Sequence, residues 1–382
     1  MSAFSNTHHT STKTSKGWQI VFLVIRLSLA AVFIFSGFVK VIDPLGFAYK
    51  IEDYLTAFGS FFAFFKFLAL PTSIALATLE LVIGLTLLFR IKIRLTALFA
   101  LLFMCVMTPL TLYIFITNPV TDCGCFGDAL ILSNSETFYK NVVLFALTLA
   151  LFIYTKRLRP IFSPIIEWGA AGLFFIGGVA LSMYCLAYLP VIDFRPYKIG
   201  ADLQAAMTIP DDAPRDVYET TFIYEKDGIR QEFTIENYPK NDSAWVFVDQ
   251  KSVLITKGEE PAITNFSIID IDYNDITYDV LNHKGNVYLL VMYDVNNTSK
   301  KGAEYAEKLY REVSARGDLF LALTGSSRLD VDIFIKKTGV TYPFFETDPV
   351  TLKTIIRSSP GLLLLKEGKV VDKWSWRELK SK

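Results

Sequence analysis

The chain has 382 residues, with 38 basic and 38 acidic side chains, and 52% of it is hydrophobic, including 32 Phe. It is too long for one ordinary domain and too apolar for an average soluble protein, and its four cysteines are too few to staple a small disulfide scaffold. The zero net charge hides a division, because residues 1–193 carry 13 Lys/Arg against nine Asp/Glu and residues 194–382 carry 25 against 29. A basic membrane half is joined to an acidic soluble half. Neither has the concentrated cationic surface that nucleic-acid phosphates require.

Five segments reach the roughly 20 apolar residues that cross ~30 Å of hydrocarbon as a helix. They are Trp18–Val39, Phe67–Phe89, Leu95–Thr117, Phe138–Tyr154 and Gly169–Leu189. Residues 1–17 form an N-terminal tail. The first apolar run exceeds a signal-peptide core and no small-residue cleavage site follows it, so it is expected to remain as a span. Cations cluster at Lys13 and Lys16, at Arg90, Lys92 and Arg94, and at Lys156, Arg157 and Arg159, whereas the loop between the third and fourth spans has Asp122, Asp128 and Glu136. The positive-inside rule then predicts a cytoplasmic N-terminus and an extracytoplasmic C-terminal half, and a bacterial inner membrane is the expected location. Tyr54–Lys66, with five Phe, is expected to lie as an interfacial helix. Arg26 and Glu80 fall at similar depths, about 12 and 14 Å from the cytoplasmic ends of their helices. They are expected to form an intramembrane ion pair, since either charge alone in lipid is costly.

The loop after the third span reads Asp122-Cys123-Gly124-Cys125-Phe126-Gly127-Asp128. Two thiols separated by one glycine can turn back towards each other, because glycine reaches backbone angles closed to other residues. Three chemistries fit: a redox couple, a structural disulfide, or half of a metal site. Zinc would need two further ligands, and the histidines are His8, His9 and His283, the first two on the cytoplasmic side. Cys105 falls in the middle of the third span, where a thiol acts as a small hydrophobe. Cys185 is about 6 Å from the outer end of the fifth span. It would serve as a relay thiol if the third, fourth and fifth spans pack together.

Arg26–Pro44, the Glu80-Leu-Val-Ile-Gly-Leu run and the Cys-Gly-Cys-Phe-Gly loop followed by Thr137-Phe-Tyr-Lys-Asn together resemble the DoxX-like/MauE family of four-helix membrane proteins, over residues 18–155. Arg26, Lys40, Asp43, Glu80, Cys123 and Cys125 match the family pattern. The resemblance implies a redox-associated membrane protein linked to disulfide formation in extracytoplasmic partners. This chain adds a fifth helix (156–190) and a large soluble region.

Residues 191–261 read as a linker followed by β-hairpins. Val217–Tyr224 and Gln231–Tyr238 form one, turning at Lys226-Asp227-Gly228; Ala244–Asp249 and Ser252–Thr256 form a second. Strands and helices then alternate, which predicts an α/β sheet. Residues 262–382 resemble the thioredoxin/peroxiredoxin-like superfamily, through Phe266–Tyr293 and through Ser358–Trp374, where Pro360 matches the position of a cis-proline. Where such enzymes carry C-x-x-C, this chain has Asp294-Val295-Asn296-Asn297-Thr298, and no cysteine follows Cys185. Without a thiolate the domain cannot exchange disulfides itself; docking of a thiol-bearing partner is the expected role.

The fold class expected is thus an all-α bundle of five transmembrane helices followed by an α/β thioredoxin-like domain. The function expected is extracytoplasmic thiol–disulfide redox chemistry through Cys123 and Cys125, with Cys185 either a relay or core filler. The alternative is a non-enzymatic membrane scaffold in which the loop disulfide is structural. The lipid bilayer and an extracytoplasmic thiol protein are the expected partners, without nucleic acid or metal. No cofactor motif is present, and a quinone would leave little trace in sequence.

Overall fold

The computed structural model describes residues 16–381 other than 121–122, 159, 210–212, 216, 241, 257 and 259. His8, His9, Lys13, Asp122 and Arg159 lie outside the described residues. The membrane half opens with α1 (Lys16–Ile42), α2 (Pro44–Ala57) and the single turn α3 (Ser60–Ala63). It continues with α4 (Ala69–Leu88), α5 (Ile93–Thr117), α6 (Asn134–Tyr154) and α7 (Pro164–Ala187). Five helical segments, 16–42, 60–88, 93–117, 134–154 and 164–187, are long and apolar enough to cross a membrane.

α1 and α4 cross closely because glycines face the contact. A Cβ on Gly37 would lie 2.4 Å from the Leu81 nitrogen, and one on Gly84 would lie 2.5 Å from the Ile34 nitrogen. Small residues of this kind let helix backbones approach in lipid. The antiparallel register that results corrects the expected Arg26–Glu80 pair. With Ile34 against Gly84, Arg26 comes level with the end of α4, and its Nη1 donates to the carbonyls of Leu87 (2.5 Å) and Leu88 (2.7 Å). Those carbonyls belong to the last turn, which has no intrahelical donors for them. Glu80 pairs instead with Lys40, at 2.7 Å.

The interfacial helix expected over 54–66 is also redrawn. α2 starts at Pro44, capped by the Asp43 side chain, and ends at Ala57. The chain breaks at Gly59 (φ 107°) and runs through α3 and a 3-10 turn into α4. Phe61, Phe64 and Phe67 remain exposed on this segment, as suits side chains at a lipid boundary. α6 packs on α5 and α1, whereas α7 packs on α4, α1 and α2.

The soluble half contains the short helix α8 (Leu203–Met207) and a three-stranded sheet of β1 (Val217–Lys226), β2 (Ile229–Thr234) and β3 (Val246–Thr256), in the order β2-β1-β3. The first hairpin forms as expected. The second does not: β3 runs unbroken and pairs antiparallel with β1. Asp249-Gln250-Lys251 has no Gly or Asn to supply the positive φ of a tight hairpin turn. No residue of these three strands is buried.

The C-terminal elements are α9 (Thr277–Leu281), β4 (Asn286–Met292), α10 (Lys300–Ala315), β5 (Leu319–Thr324), α11 (Arg328–Thr338), β6 (Phe344–Glu346), α12 (Pro349–Ile355), β7 (Gly361–Lys366) and β8 (Lys369–Ser375). Their sheet runs β6-β5-β4-β7-β8, with β4, β5 and β6 parallel and β7 and β8 antiparallel. Period-two alternation divides β4 between two cores. Leu290 and Met292 pack with Ala303, Ala306 and Phe334, whereas Val287, Leu289 and Val291 pack with Leu352, Ile355 and Leu363. Helices therefore cover both faces, and the Ser359–Pro360 bond before β7 is cis. This is a thioredoxin-like fold.

Part of the segment expected to be a linker belongs to this domain. Tyr197 and Leu203 are buried in the core with Ile263 and Phe266. The amides of Gly200 and Leu203 donate to the carbonyls of Val370 and Gly368. Asp193 binds both Arg195 and Lys373 at 2.7 Å, so the chain is tied down within a few residues of leaving α7.

Candidate functional site

The cysteine loop is built by its glycines. Gly124 (φ 63°) and Gly127 (φ 52°) occupy the left-handed region, which costs an L-residue with a Cβ about 1–2 kcal/mol. The Gly127 amide donates to the Gly124 carbonyl at 3.1 Å and closes the turn. The Sγ atoms of Cys123 and Cys125 lie 3.1 Å apart. A disulfide requires about 2.05 Å, so the two thiols stand in contact, one short movement from bonding.

Side chains of α1 and α2 fix this loop. Ser36 Oγ donates to the Cys125 carbonyl at 2.7 Å, and Tyr54 Oη donates to the Cys123 carbonyl at 2.5 Å. Lys40, one helical turn after Ser36, donates to Ser36 Oγ at 3.0 Å and to Glu80 Oε2 at 2.7 Å. A continuous polar chain therefore links Glu80, Lys40, Ser36 and the Cys125 backbone through the buried end of the bundle. On the other side Lys140 Nζ sits 4.2 Å from the Phe126 ring centre, a cation–π contact.

The two thiols are unequal. The hydrogen bond from Cys123, then the charges of Lys140 and Lys40, bring Cys125 down to about 6 in spite of its burial. The same hydrogen bond, followed by burial, pushes Cys123 up. The lowered thiol, Cys125, is the one biased towards the thiolate.

The third candidate thiol is Cys185. It is buried on α7, where its hydrogen-bond partner is the Val191 backbone and its charged neighbour is Asp43. The packing assumed for the relay, of the third, fourth and fifth spans together, differs from the main contacts of α7, which are with α4, α1 and α2. Cys105 is exposed on α5. Among the described residues no group of three His, Cys, Asp or Glu is placed to hold a metal ion.

The soluble domain reaches this site through Arg357. Its guanidinium grips Asp43 (Nε to Oδ1 2.9 Å, Nη2 to Oδ2 2.8 Å) and touches Asp128 of the cysteine loop at 3.3 Å. Burial acts to raise the Asp43 carboxyl, but the Arg357 charge and hydrogen bonds hold it below the usual carboxylate range. Tyr49 of α2 hydrogen-bonds Tyr293 at the end of β4. A cavity of about 250 Å³ remains between the domains, lined among others by Asp43, Lys50, Gly124, Arg195 and Lys353. The segment in the C-x-x-C position, by contrast, is closed on itself. Asp294 accepts from the Asn296 amide and from Asn297 Nδ2, and Thr298 Oγ1 bonds Ser359 Oγ at 2.8 Å.

Sequence reasoning brought Lys40 and Asp43 forward only as matches to a family pattern, and it missed Ser36, Tyr54 and Arg357. The i, i+4 spacing of Ser36 and Lys40 around Gly37 was the available signal for the first. Arg357 had none, because its partner lies in the other domain.

A multi-pass membrane bundle with a thiol pair at one end, bonded to a thioredoxin-like domain that lacks cysteines, is the class of protein that this geometry defines. Residues 18–154 match the family model described as methylamine utilisation protein MauE. Residues 218–257, the exposed three-stranded sheet, match a domain of unknown function (DUF8463). No curated protein sequence matches the chain. Similar solved structures include a putative protein disulfide isomerase from Bacteroides thetaiotaomicron, 22% identical, covering 31% of this chain and 80% of that one at a TM-score of 0.26. StoA from Bacillus subtilis is 19% identical over 30% of this chain and 93% of its own, with a TM-score of 0.25. A thiol:disulfide interchange protein from Bacteroides sp. is 19% identical over 28% and 75%, at 0.24.

Proposed function

We propose that this is a membrane thiol–disulfide oxidoreductase whose redox couple is Cys123 and Cys125. The observation that carries the reading is the pair itself: two sulfurs 3.1 Å apart, with the Cys125 thiol lowered by its neighbour and by nearby lysines. As the S–S bond forms, the pair gives up two electrons and the protons its sulfurs still carry to a partner disulfide or other acceptor, and the reverse exchange with a dithiol reduces it again. The clustered cations of the 90–94 and 156–157 loops support a topology with these loops in the cytoplasm of a bacterial cell and the cysteine loop outside the inner membrane. Outside the membrane, dithiol–disulfide exchange is the normal thiol chemistry.

The thioredoxin-like domain acts as a docking module. It sits over the loop through Arg357, Tyr293 and Lys353, and the cavity beside Gly124 is where a partner's cysteine would approach. The test is trapping. Cys125→Ser leaves Cys123 able to hold a partner in a mixed disulfide that non-reducing electrophoresis resolves, and Cys123→Ser does the same for Cys125. Finding both loop thiols alkylatable in oxidised and reduced membranes alike, with no trapped adduct from either variant, would show that the pair does not cycle.

A further inference from the structure

The three-stranded sheet has two outer strands, β2 and β3, and they are guarded differently. The register of β3 against β1 shifts twice, opposite Val217–Tyr218 and opposite Ile223–Tyr224, and Lys251 stands at its middle. Irregular pairing and an edge lysine both keep a strand from joining another chain. β2 has neither. Its register with β1 is unbroken from Thr221–Thr234 to Lys226–Ile229, and its sequence, Ile229-Arg-Gln-Glu-Phe-Thr234, contains no Pro or Lys.

The hairpin turn decides which backbone groups of β2 face outward. Asp227 and Gly228 have φ of 52° and 78°, the type I′ geometry of a two-residue hairpin, so Lys226 and Ile229 form the first hydrogen-bonded pair. Pairs alternate from there. Ile229, Gln231 and Phe233 thus turn their N–H and C=O groups to β1, whereas Arg230, Glu232 and Thr234 turn theirs away. Thr234 agrees with this count: its amide donates to Asn237 Oδ1 at 2.7 Å, and its carbonyl accepts from the Tyr238 amide at 3.1 Å. Among the described residues, the open part of the edge is therefore the backbone of Arg230 and Glu232.

We propose that β2 pairs antiparallel with β2 of a second copy of this chain, about a two-fold axis at Gln231. In that register Arg230 lies opposite Glu232 of the second copy, and Glu232 lies opposite Arg230 of the second copy. The open backbone groups then satisfy each other, and opposite charges face each other on both sides of the axis. Ile229, 69% exposed, falls opposite Phe233 on the other face of the sheet. The pairing ends where Thr234 meets the Gly228 turn, because the Thr234 backbone is already bonded. Such self-complementarity is what a two-fold interface requires. Arg230 is bridged to Glu225 of its own hairpin at 2.9 Å, and Glu232 has no cationic partner among the described residues, so the second copy supplies one. One strand pair is small beside the area that a soluble dimer buries. Anchorage of both copies in one membrane offsets this by raising their effective concentration, as a linker does. The surface is separate from the cysteine loop and does not depend on the redox reading.

The experiment is disulfide trapping in the full-length protein in its membranes, with every native cysteine kept and wild type run alongside. Across the axis the two Gln231 residues form a non-hydrogen-bonded pair with Cα atoms about 4.5 Å apart, within the reach of a disulfide. Gln231→Cys should therefore give a homodimer on mild oxidation, absent from wild type and from Gln250→Cys on the exposed β3 edge. Adding Glu232→Arg sets Arg against Arg and should abolish the dimer, and adding Arg230→Glu as well should restore it, which separates lost pairing from a misfolded hairpin. Absence of the dimer in Gln231→Cys, an equal yield from Gln250→Cys, or an adduct with a different protein would overturn the proposal. A yield indifferent to Glu232→Arg, or one that the double exchange fails to restore, would overturn the register.

Discussion

Arg357 and Asp43 lie 314 residues apart in the chain and meet as a two-pronged ion pair across the boundary between the membrane bundle and the soluble domain. Both side chains are largely withdrawn from solvent, at 8% and 18% exposure. Asp43 also caps α2 by accepting from the Gly46 amide. A Cβ on Gly46 would lie 2.6 Å from Arg357 Nη2, so the absence of a side chain there is what admits the guanidinium. One carboxylate thus sets the start of the helix that carries Tyr49 and Tyr54 and also anchors the domain above the cysteine loop.

Removing one partner of a buried ion pair costs about 3–5 kcal/mol, because the other charge is left without compensation. Arg357→Ala is therefore expected to release the soluble domain from the bundle while both remain folded. Hydrogen exchange should rise at residues 43–58 and 353–360 and stay protected in β4 and β5. Unchanged exchange over 43–58 would mean that Arg357 does not hold the interface.

The same pair predicts a response to acid. The folded-state pKa of Asp43 lies below its ordinary value near 3.8. A carboxyl depressed in this way contributes stability that is present above the unfolded pKa and is lost as pH falls through the folded one. Asp128 is raised by its burial, against the pull of Arg357, and protonates first. The interface should thus hold from neutrality down to about pH 4 and open below it. Cross-linking between residues on α2 and α12, followed against pH, measures this; in Asp43→Asn the acid step should be lost.

The inequality of the thiols predicts an alkylation profile. An ordinary cysteine titrates near 8.5, whereas Cys125 stands at about 6. A small apolar maleimide applied to the reduced protein should modify Cys125 with a midpoint near pH 6 and leave Cys123 slow at every pH up to neutrality. Peptide mass spectrometry assigns the site. Lys140→Met, which removes a nearby positive charge, should move the midpoint upward.

The spans, the cysteine loop, the alternating α/β order and the absence of thiols from the soluble half were legible because each is a local pattern of apolar period, spacing or count. The ion pairs were not. Depth arithmetic placed Arg26 opposite Glu80 by assuming that the two helix ends were level. The contact of Gly37 with Leu81 and of Gly84 with Ile34 sets a different register, and Lys40 takes the place expected for Arg26. The second β-hairpin failed for a related reason. Polar residues interrupted the pattern at Asp249-Gln250-Lys251, but an exposed strand carries polar residues anywhere along its length. Arg357 was beyond reach of any local signal, since nothing near it in sequence marks a buried carboxylate in another domain.

Gly124 offers a test of the loop geometry that leaves both thiols in place. Its φ of 63° and the Lys50 side chain 3.0 Å from an added Cβ make Gly124→Ala strained by about 1–2 kcal/mol. The expected effect falls on the pair, with slower disulfide closure after addition of an oxidant and with spans that stay folded by circular dichroism. Gly127→Ala, at φ 52° and against Val39, should act in the same direction. Closure at the native rate in both variants would show that the turn does not align the sulfurs.

Lys40 and Glu80 separate a role in folding from one in the site. Each is nearly buried, at 4% and 8% exposure, so Lys40→Met or Glu80→Leu alone leaves an uncompensated charge in the bundle and should destabilise it by about 3–5 kcal/mol. Replacing both removes the charges together, and a buried pair exchanged for apolar side chains of similar size is often neutral in stability. The double variant should therefore recover most of the thermal stability in detergent that either single change loses. Its Cys125 alkylation midpoint should stay a little above the native one, because the Lys40 charge that lowers it outweighs the Glu80 charge that raises it, while the larger contributions of Cys123 and Lys140 remain. Recovery of stability together with a native alkylation midpoint would confine Lys40 to a structural role.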